Sequence, residues 1–177
     1  MDIDSVQRLV ALEDLEAIRY LRHRWNEKSA VMLGSGNKSE VDAARDWFAA
    51  HISPDFGFST NLRKEHHDAV GFLALLDEMS EAYTFAFHMV GGDVFDPLLA
   101  TDQGTSNQAS ATWYSLGMLT LRNEQLWVAT VWRERYVKQD GAWLIQNMAG
   151  DYKFASPYES GWANEPFVRD EILRLVY

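Results

Sequence analysis

The chain of 177 residues contains no cysteine. Disulfides, thiolate metal sites, iron–sulfur clusters and cysteine nucleophiles are therefore excluded. No apolar run approaches the roughly 20 residues that a membrane-crossing helix needs. The opening stretch MDIDSVQRLVALEDLEAI is acidic and has no continuous apolar segment, unlike a secretory leader. Basic residues are in deficit, 16 Lys and Arg against 26 Asp and Glu, which gives a net charge of −10. Such a surface repels a phosphate backbone, so nucleic acid is not an expected partner. These absences lead to the expectation of a soluble, cytoplasmic protein with no membrane partner.

What the chain does have is apolar and aromatic. Hydrophobic residues make up 47 % and aromatics 13 %, with seven Trp. That composition is too apolar for disorder, and richer in Trp than the core of one domain needs. The length favours a single domain over residues 1–177. No internal repeat or long linker divides it.

Ser5 to Lys28 carries Val6, Leu9, Leu12, Leu15, Ile18, Leu21 and Trp25 at spacings of three and four, which predicts a helix with one apolar stripe. Ser39 can cap a second helix bearing Val41, Ala44, Trp47 and Phe48, stopped by Pro54-Asp55. Phe56 to Thr60 alternates as a short strand. Lys64 to Tyr83 predicts a third helix, with Val70, Leu73, Leu76 and Met79 on one face. The remainder is mostly strand: Tyr83 to Val90, ended by Gly91-Gly92-Asp93; then Ala109 to Leu121, Leu126 to Lys138 and Trp143 to Phe154. Asp140-Gly141 is a hairpin turn signal. A last helix is expected over Val168 to Tyr177. Helices followed by a meander of long strands make an α+β fold.

This order of elements resembles the SnoaL-like (nuclear transport factor 2-like) superfamily. The resemblance is carried by Leu12-Glu13-Asp14-Leu15-Glu16-Ala17-Ile18-Arg19, by the paired strands around Trp132-Arg133-Glu134-Arg135-Tyr136 with Asp140-Gly141-Ala142-Trp143, and by Phe154-Ala155-Ser156-Pro157 with Gly161-Trp162. It implies a cone of three N-terminal helices on a strongly curved mixed or antiparallel sheet, plus a C-terminal helix. The superfamily holds scytalone dehydratase, bile acid dehydratase, a dehydrochlorinase, ketosteroid isomerase, polyketide cyclases, dioxygenase β subunits and members without catalysis, so fold alone does not give function. An apolar cone with few polar groups suits proton transfer at carbon with no cofactor and no metal.

His88, in the run Tyr83 to Val90, resembles the histidine that dehydratase and dehydrochlorinase members use as general base. An apolar wall would keep its imidazole unprotonated; the alternative is a core histidine bonded to the backbone. The chain departs from these relatives elsewhere. The aspartate that orients their histidine falls at Ala30, a helical Tyr or Lys position is Trp25, a strand aspartate falls near Gly117 and an arginine near Met148. Replacement partners are sought on the last long strand, where Asp151 could orient His88 and Tyr152 could donate a proton. Asn147 and Met148 are further candidates there, on opposite faces if the strand is regular.

Trp25, Phe58, Trp113, Tyr114, Trp132 and Phe154 come from elements that wall the cone in the family, and are taken as substrate-binding; core packing is the competing explanation. Glu134 and Tyr136 share a face with Trp132, and a buried Arg–Glu pair is expected there as support. Adjacent His66 and His67 point about 100° apart on a helix and make a poor metal clamp.

The leading expectation is a cofactor-independent lyase acting on a small apolar, aromatic molecule. The alternatives are a non-catalytic binder or accessory subunit like the dioxygenase β subunit, and an isomerase using the same proton transfer. Self-association as dimer or trimer is expected from the width of the sheet and the apolar terminal segment.

Overall fold

A computed structural model describes residues 3–96, 100–101, 104–173 and 176. The first helix, α1 (Ile3–Met32), is followed by α2 (Lys38–His51), β1 (Ile52–Thr60), β2 (Arg63–His67) and α3 (Ala69–Ala82). Then come β3 (Tyr83–Phe95), the short β4 (Ala100–Thr101) and β5 (Gly104–Thr105), and the long β6 (Gln108–Leu121), β7 (Glu124–Gln139) and β8 (Ala142–Pro157). Two short helices, α4 (Gly161–Asn164) and α5 (Asp170–Leu173), close the described part. Six strands form one open mixed sheet in the order β2-β1-β8-β7-β6-β3, the α+β arrangement expected from the sequence.

The turns explain the meander. Arg122 and Asn123 (φ 48° and 70°) join β6 to β7, and Asp140 and Gly141 (φ 50° and 82°) join β7 to β8. Left-handed values at both central residues twist with the strands they connect. Register shifts between Ala129 and Thr130, and between Arg135 and Tyr136, interrupt the β7–β8 ladder; such bulges bend a sheet. β1 lies parallel to β8, with Phe58 opposite Met148.

Several boundaries differ from the sequence expectation. Asn37, not Ser39, caps α2, accepting from Ser39 N–H at 3.1 Å. The second helix stops at His51, and β1 already runs through Pro54. His66 and His67 end strand β2 instead of opening a helix; Asp68 caps α3 by accepting from Gly71 N–H at 2.8 Å. β3 does not end at Gly91-Gly92 but shifts register there and continues to Phe95. The last helix spans only Asp170–Leu173, and residues 174, 175 and 177 lie outside the description.

The stripe of α1 is buried from Ile18 onward, whereas Val6, Leu9 and Leu12 are exposed. The reason is reach: its later turns lie over the sheet. Trp25 is the hub of an aromatic cluster, with Phe48 at 4.6 Å and Phe72 at 5.6 Å between ring centroids. Each such pair adds about 0.5–1.5 kcal/mol beyond the apolar area it buries. Val70, placed on the apolar face of α3 by periodicity, is exposed, while Phe72 and Leu75 are buried instead. Among the described residues no helix is long and apolar enough to cross a membrane.

Candidate functional site

Two helical turns of α1 bring Arg22, Trp25, Asn26 and Ser29 to one face, since positions three and four apart are neighbours on a helix. They stand over the inner face of the sheet. There the cross-strand rows are His88–Gly117–Val128 and Val90–Ser115–Thr130–Tyr152. The side chains of Arg22, Trp25, Asn26, Ser29 and His88, with Ser115, Val128, Thr130, Trp132 and Tyr152, enclose one small cavity. It leaves about 10 Å³ for the centre of a water molecule, room for about one water.

Two glycines make the inner wall possible. A Cβ at Gly117 would lie 2.7 Å from Cδ2 of His88 and 2.7 Å from Cγ2 of Val128. A Cβ at Gly150 would lie 2.7 Å from the Trp132 ring. Each ring rests on bare backbone of the adjacent strand.

His88 is half-buried, and it also lines a groove of about 410 Å³ between α1 and β3. The groove is walled by His23, Asn26, Glu27 and Ala30 from α1 and by Phe87, Met89 and Val90 from β3. His88 and Asn26 line both spaces and so form the partition between them. Burial of the imidazole, reinforced by the positive charge of Arg22, lowers its pKa from 6.5 to about 4. The ring is therefore neutral near pH 7 and able to accept a proton. No hydrogen bond fixes it among the described residues.

Next to the cavity lies a second buried polar set. Nε of Arg22 is 2.8 Å from Oε1 of Glu134. Tyr136 donates its hydroxyl to Oε2 of Glu134, and Trp113 Nε1 donates to the Tyr136 hydroxyl at 3.0 Å. Arg22 also donates to Oδ1 of Asn26. Burial raises the Glu134 carboxyl pKa against the opposing pull of Arg22, and burial raises that of Tyr136 as well. The supporting Arg–Glu pair expected from the sequence exists, but its cation comes from α1 and not from a neighbouring strand.

The structure divides the sequence candidates. His88, Trp25, Trp132 and Tyr152 meet at the cavity. Phe58 and Met148 are buried behind it, Phe58 against Phe72 at 5.0 Å and Trp132 at 6.1 Å. Trp113 is buried in the Glu134 network, edge-to-face with His23 at 6.4 Å between ring centroids. Asp151 is turned away from His88: it accepts from Lys153 and from Asn61 Nδ2 at 3.3 Å, on the outer side of β8. Asn147 shares that outer side and Tyr114 is exposed. Phe154 lies outside as well, stacked on Trp162 at 5.2 Å. These four are corrected by strand phase. On β8 the inward phase set by Met148 and Tyr152 turns Asn147 and Asp151 out, and the bulge between Tyr152 and Phe154 reverses the phase and turns Phe154 out; on β6 buried Trp113 leaves Tyr114 on the outer face.

Sequence reasoning missed Arg22, Asn26, Ser29 and Thr130. Their signal was available: Arg22, Asn26 and Ser29 lie three or four positions from Trp25 or from one another, on the buried side of α1. Ala30, where the relatives' aspartate was placed by counting, does line the groove beside His88.

A bent open sheet with α1 packed on its inner face and a histidine on the inner wall is the arrangement that the resemblance implied. The chain belongs to the SnoaL-like family, whose domain model matches residues 10–149. Among solved structures, it is similar to LinA, at 14 % identity and TM-score 0.69, over 85 % of this chain and 93 % of that one. A scytalone dehydratase-like protein from Novosphingobium aromaticivorans matches at 13 % identity and TM-score 0.69, covering 87 % and 91 %. The hexachlorocyclohexane dehydrochlorinase LinA-type3 from Novosphingobium barchaimii matches at 13 % and 0.61, covering 86 % and 93 %. At such identities the likeness shows fold. No curated protein matches the sequence significantly.

Proposed function

We infer that this protein is a cofactor-independent lyase whose general base is His88, acting on a small apolar, aromatic substrate. The observation that supports this most is the placement of a neutral imidazole at the partition between a ring-lined cavity and an open groove. A base at that position meets a substrate seated in the groove, and general base catalysis there is worth roughly 10²–10⁴-fold. Tyr152, on the cavity wall, is the group suited to give a proton to a departing or developing oxygen. An isomerase would use the same parts and return the proton to a different carbon. The fold of LinA and of the scytalone dehydratase-like protein is in keeping with elimination chemistry.

A non-catalytic binder is the second reading, and one observation favours it. The position beside His88 that would hold an orienting carboxylate is Ala30, and the neighbouring charge is the cation Arg22. An imidazolium formed there has no counter-ion. The exposed Phe85, beside Phe87 and Met89 on the edge strand β3, supports association with a second copy of the chain; sedimentation of wild type against Phe85→Glu, which leaves the groove lining intact, tests it, with a lower mass expected for the variant.

The deciding experiment is a screen of aromatic alcohols for loss of water, with His88→Ala as control. Turnover abolished in His88→Ala supports the lyase. Ligand binding by both proteins without turnover in either would leave the binder.

A further inference from the structure

Ser29 is 2 % exposed, lines the cavity, and its hydroxyl has no hydrogen-bond partner among the described residues. A helical serine ordinarily bonds back to the carbonyl four positions earlier or turns to solvent; this one does neither. Leaving a buried hydroxyl unpaired is costly, so its partner is to be sought in the space it faces. That space is small, with about 10 Å³ open to the centre of a water molecule, enough for one water. The large space lies on the other side of His88 and Asn26, in the groove between α1 and β3.

Resting on the lyase reading, we propose that the cavity is a single-oxygen subsite: the substrate is an alcohol whose apolar body lies in the groove and whose hydroxyl passes between His88 and Asn26 to hydrogen-bond Ser29. A hydroxyl can both donate to and accept from Ser29, which a carbon leaving group cannot do. The elimination then balances without a redox partner. His88 takes a proton from the carbon next to the one bearing oxygen, and the C–H electron pair becomes the new C=C bond. The C–O bond breaks with its pair on oxygen, and the Tyr152 phenolic proton completes a water held by Ser29. The proton on His88 then restores Tyr152.

The test uses three probes of one shape: 1-indanol, indane and 1-methylindane, titrated against the intrinsic fluorescence of Trp25 and Trp132 in the full chain. Wild type is expected to bind 1-indanol about tenfold more tightly than 1-methylindane. In Ser29→Ala the two should come within about twofold while indane is unchanged. The variant should keep its fold, with Tm raised by about 2–4 °C, because it removes an unpaired buried hydroxyl. Equal affinities in wild type, a preference that survives Ser29→Ala, or no binding of 1-indanol by folded protein would each overturn the proposal. Formation of indene separates the two readings. Indene formed equally fast by Ser29→Ala retains the lyase and overturns the subsite. A Ser29-dependent preference with no indene from wild type retains the subsite and counts against His88 chemistry.

Discussion

The Glu134 network and the His88 cavity are neighbours built on opposite rules. Both are polar islands in one apolar core, and both are touched by Arg22. In the first, the charges are paired and phenol and indole are hydrogen-bonded, although Nε of Arg22 and Oε1 of Glu134 meet as an ion pair without hydrogen-bond geometry. In the second, the imidazole is unbonded and the Ser29 hydroxyl is unpaired among the described residues. A satisfied buried network specifies a fold; unsatisfied groups beside a cavity mark where a fold tolerates a cost for the sake of a ligand. The cation shared by the two sets pairs with Glu134 and, at the same time, adds to the burial that keeps His88 unprotonated.

Breaking the satisfied side should have the larger effect. Glu134→Ala strands the Arg22 guanidinium in the core and is expected to destabilise the protein by about 3–5 kcal/mol. The double variant Arg22→Met/Glu134→Leu should lose much less, since no charge is then left unpaired. Urea unfolding of the three proteins checks this. Equal losses in the single and double variants would mean that packing, not charge, holds that corner.

The unsatisfied side should show itself in pH dependence. In the unfolded chain a histidine titrates near 6.5, and His88 in the fold near about 4. Between those values the unfolded chain holds a proton that the fold refuses. Stability is thus fully present above about pH 6.5 and falls as pH drops toward 4, by up to about 3 kcal/mol. The groups facing His88 are Arg22, Asn26 and Ser29 from α1, Ser115 from β6, Thr130 from β7 and Tyr152 from β8, with His23 and Glu27 across the groove. His88→Gln should flatten the loss between pH 6.5 and 5, read by thermal unfolding at each pH. Parallel curves for the two proteins would show that other groups carry it. A smaller effect follows from Gly117→Ala, whose Cβ would meet His88 and Val128 at 2.7 Å. A cost of about 1–3 kcal/mol is expected, and part of it should disappear when His88 is also replaced by Ala.

Strand alternation, the Asp140-Gly141 turn and the Trp25 stripe were legible in the sequence because each is a local rule of spacing. So was the grouping of Trp132, Glu134 and Tyr136 on one strand face, which is the buried one. What alternation alone does not fix is phase. On β8 the same pattern served Asp151 or Tyr152 as an inward group, and two bulges moved the registry further. The strand β2 was hidden in a helix-like apolar period that begins only at Ala69, and β3 crosses two glycines that normally end a strand. Arg22, Asn26 and Ser29 were visible in principle. They are polar residues on the apolar side of a helix, and that conflict between residue type and position is itself a site signal.

The finest test of the contrast is to give His88 the partner that the Glu134 network has and the cavity lacks. Ala30 lines the groove beside His88, one helical turn beyond Asn26. In Ala30→Asp a carboxylate would stand against the imidazole and oppose the effect of Arg22. The titration midpoint of His88, followed by the ring-proton NMR signals, should move up from about 4 by about one pH unit. Where Ser29 and Tyr152 already serve an alcohol, the variant should also extend turnover to lower driving force, because the imidazolium gains a counter-ion. A midpoint that stays in place would mean that burial alone sets His88, and that the cation at Arg22 belongs to the fold and not to the chemistry.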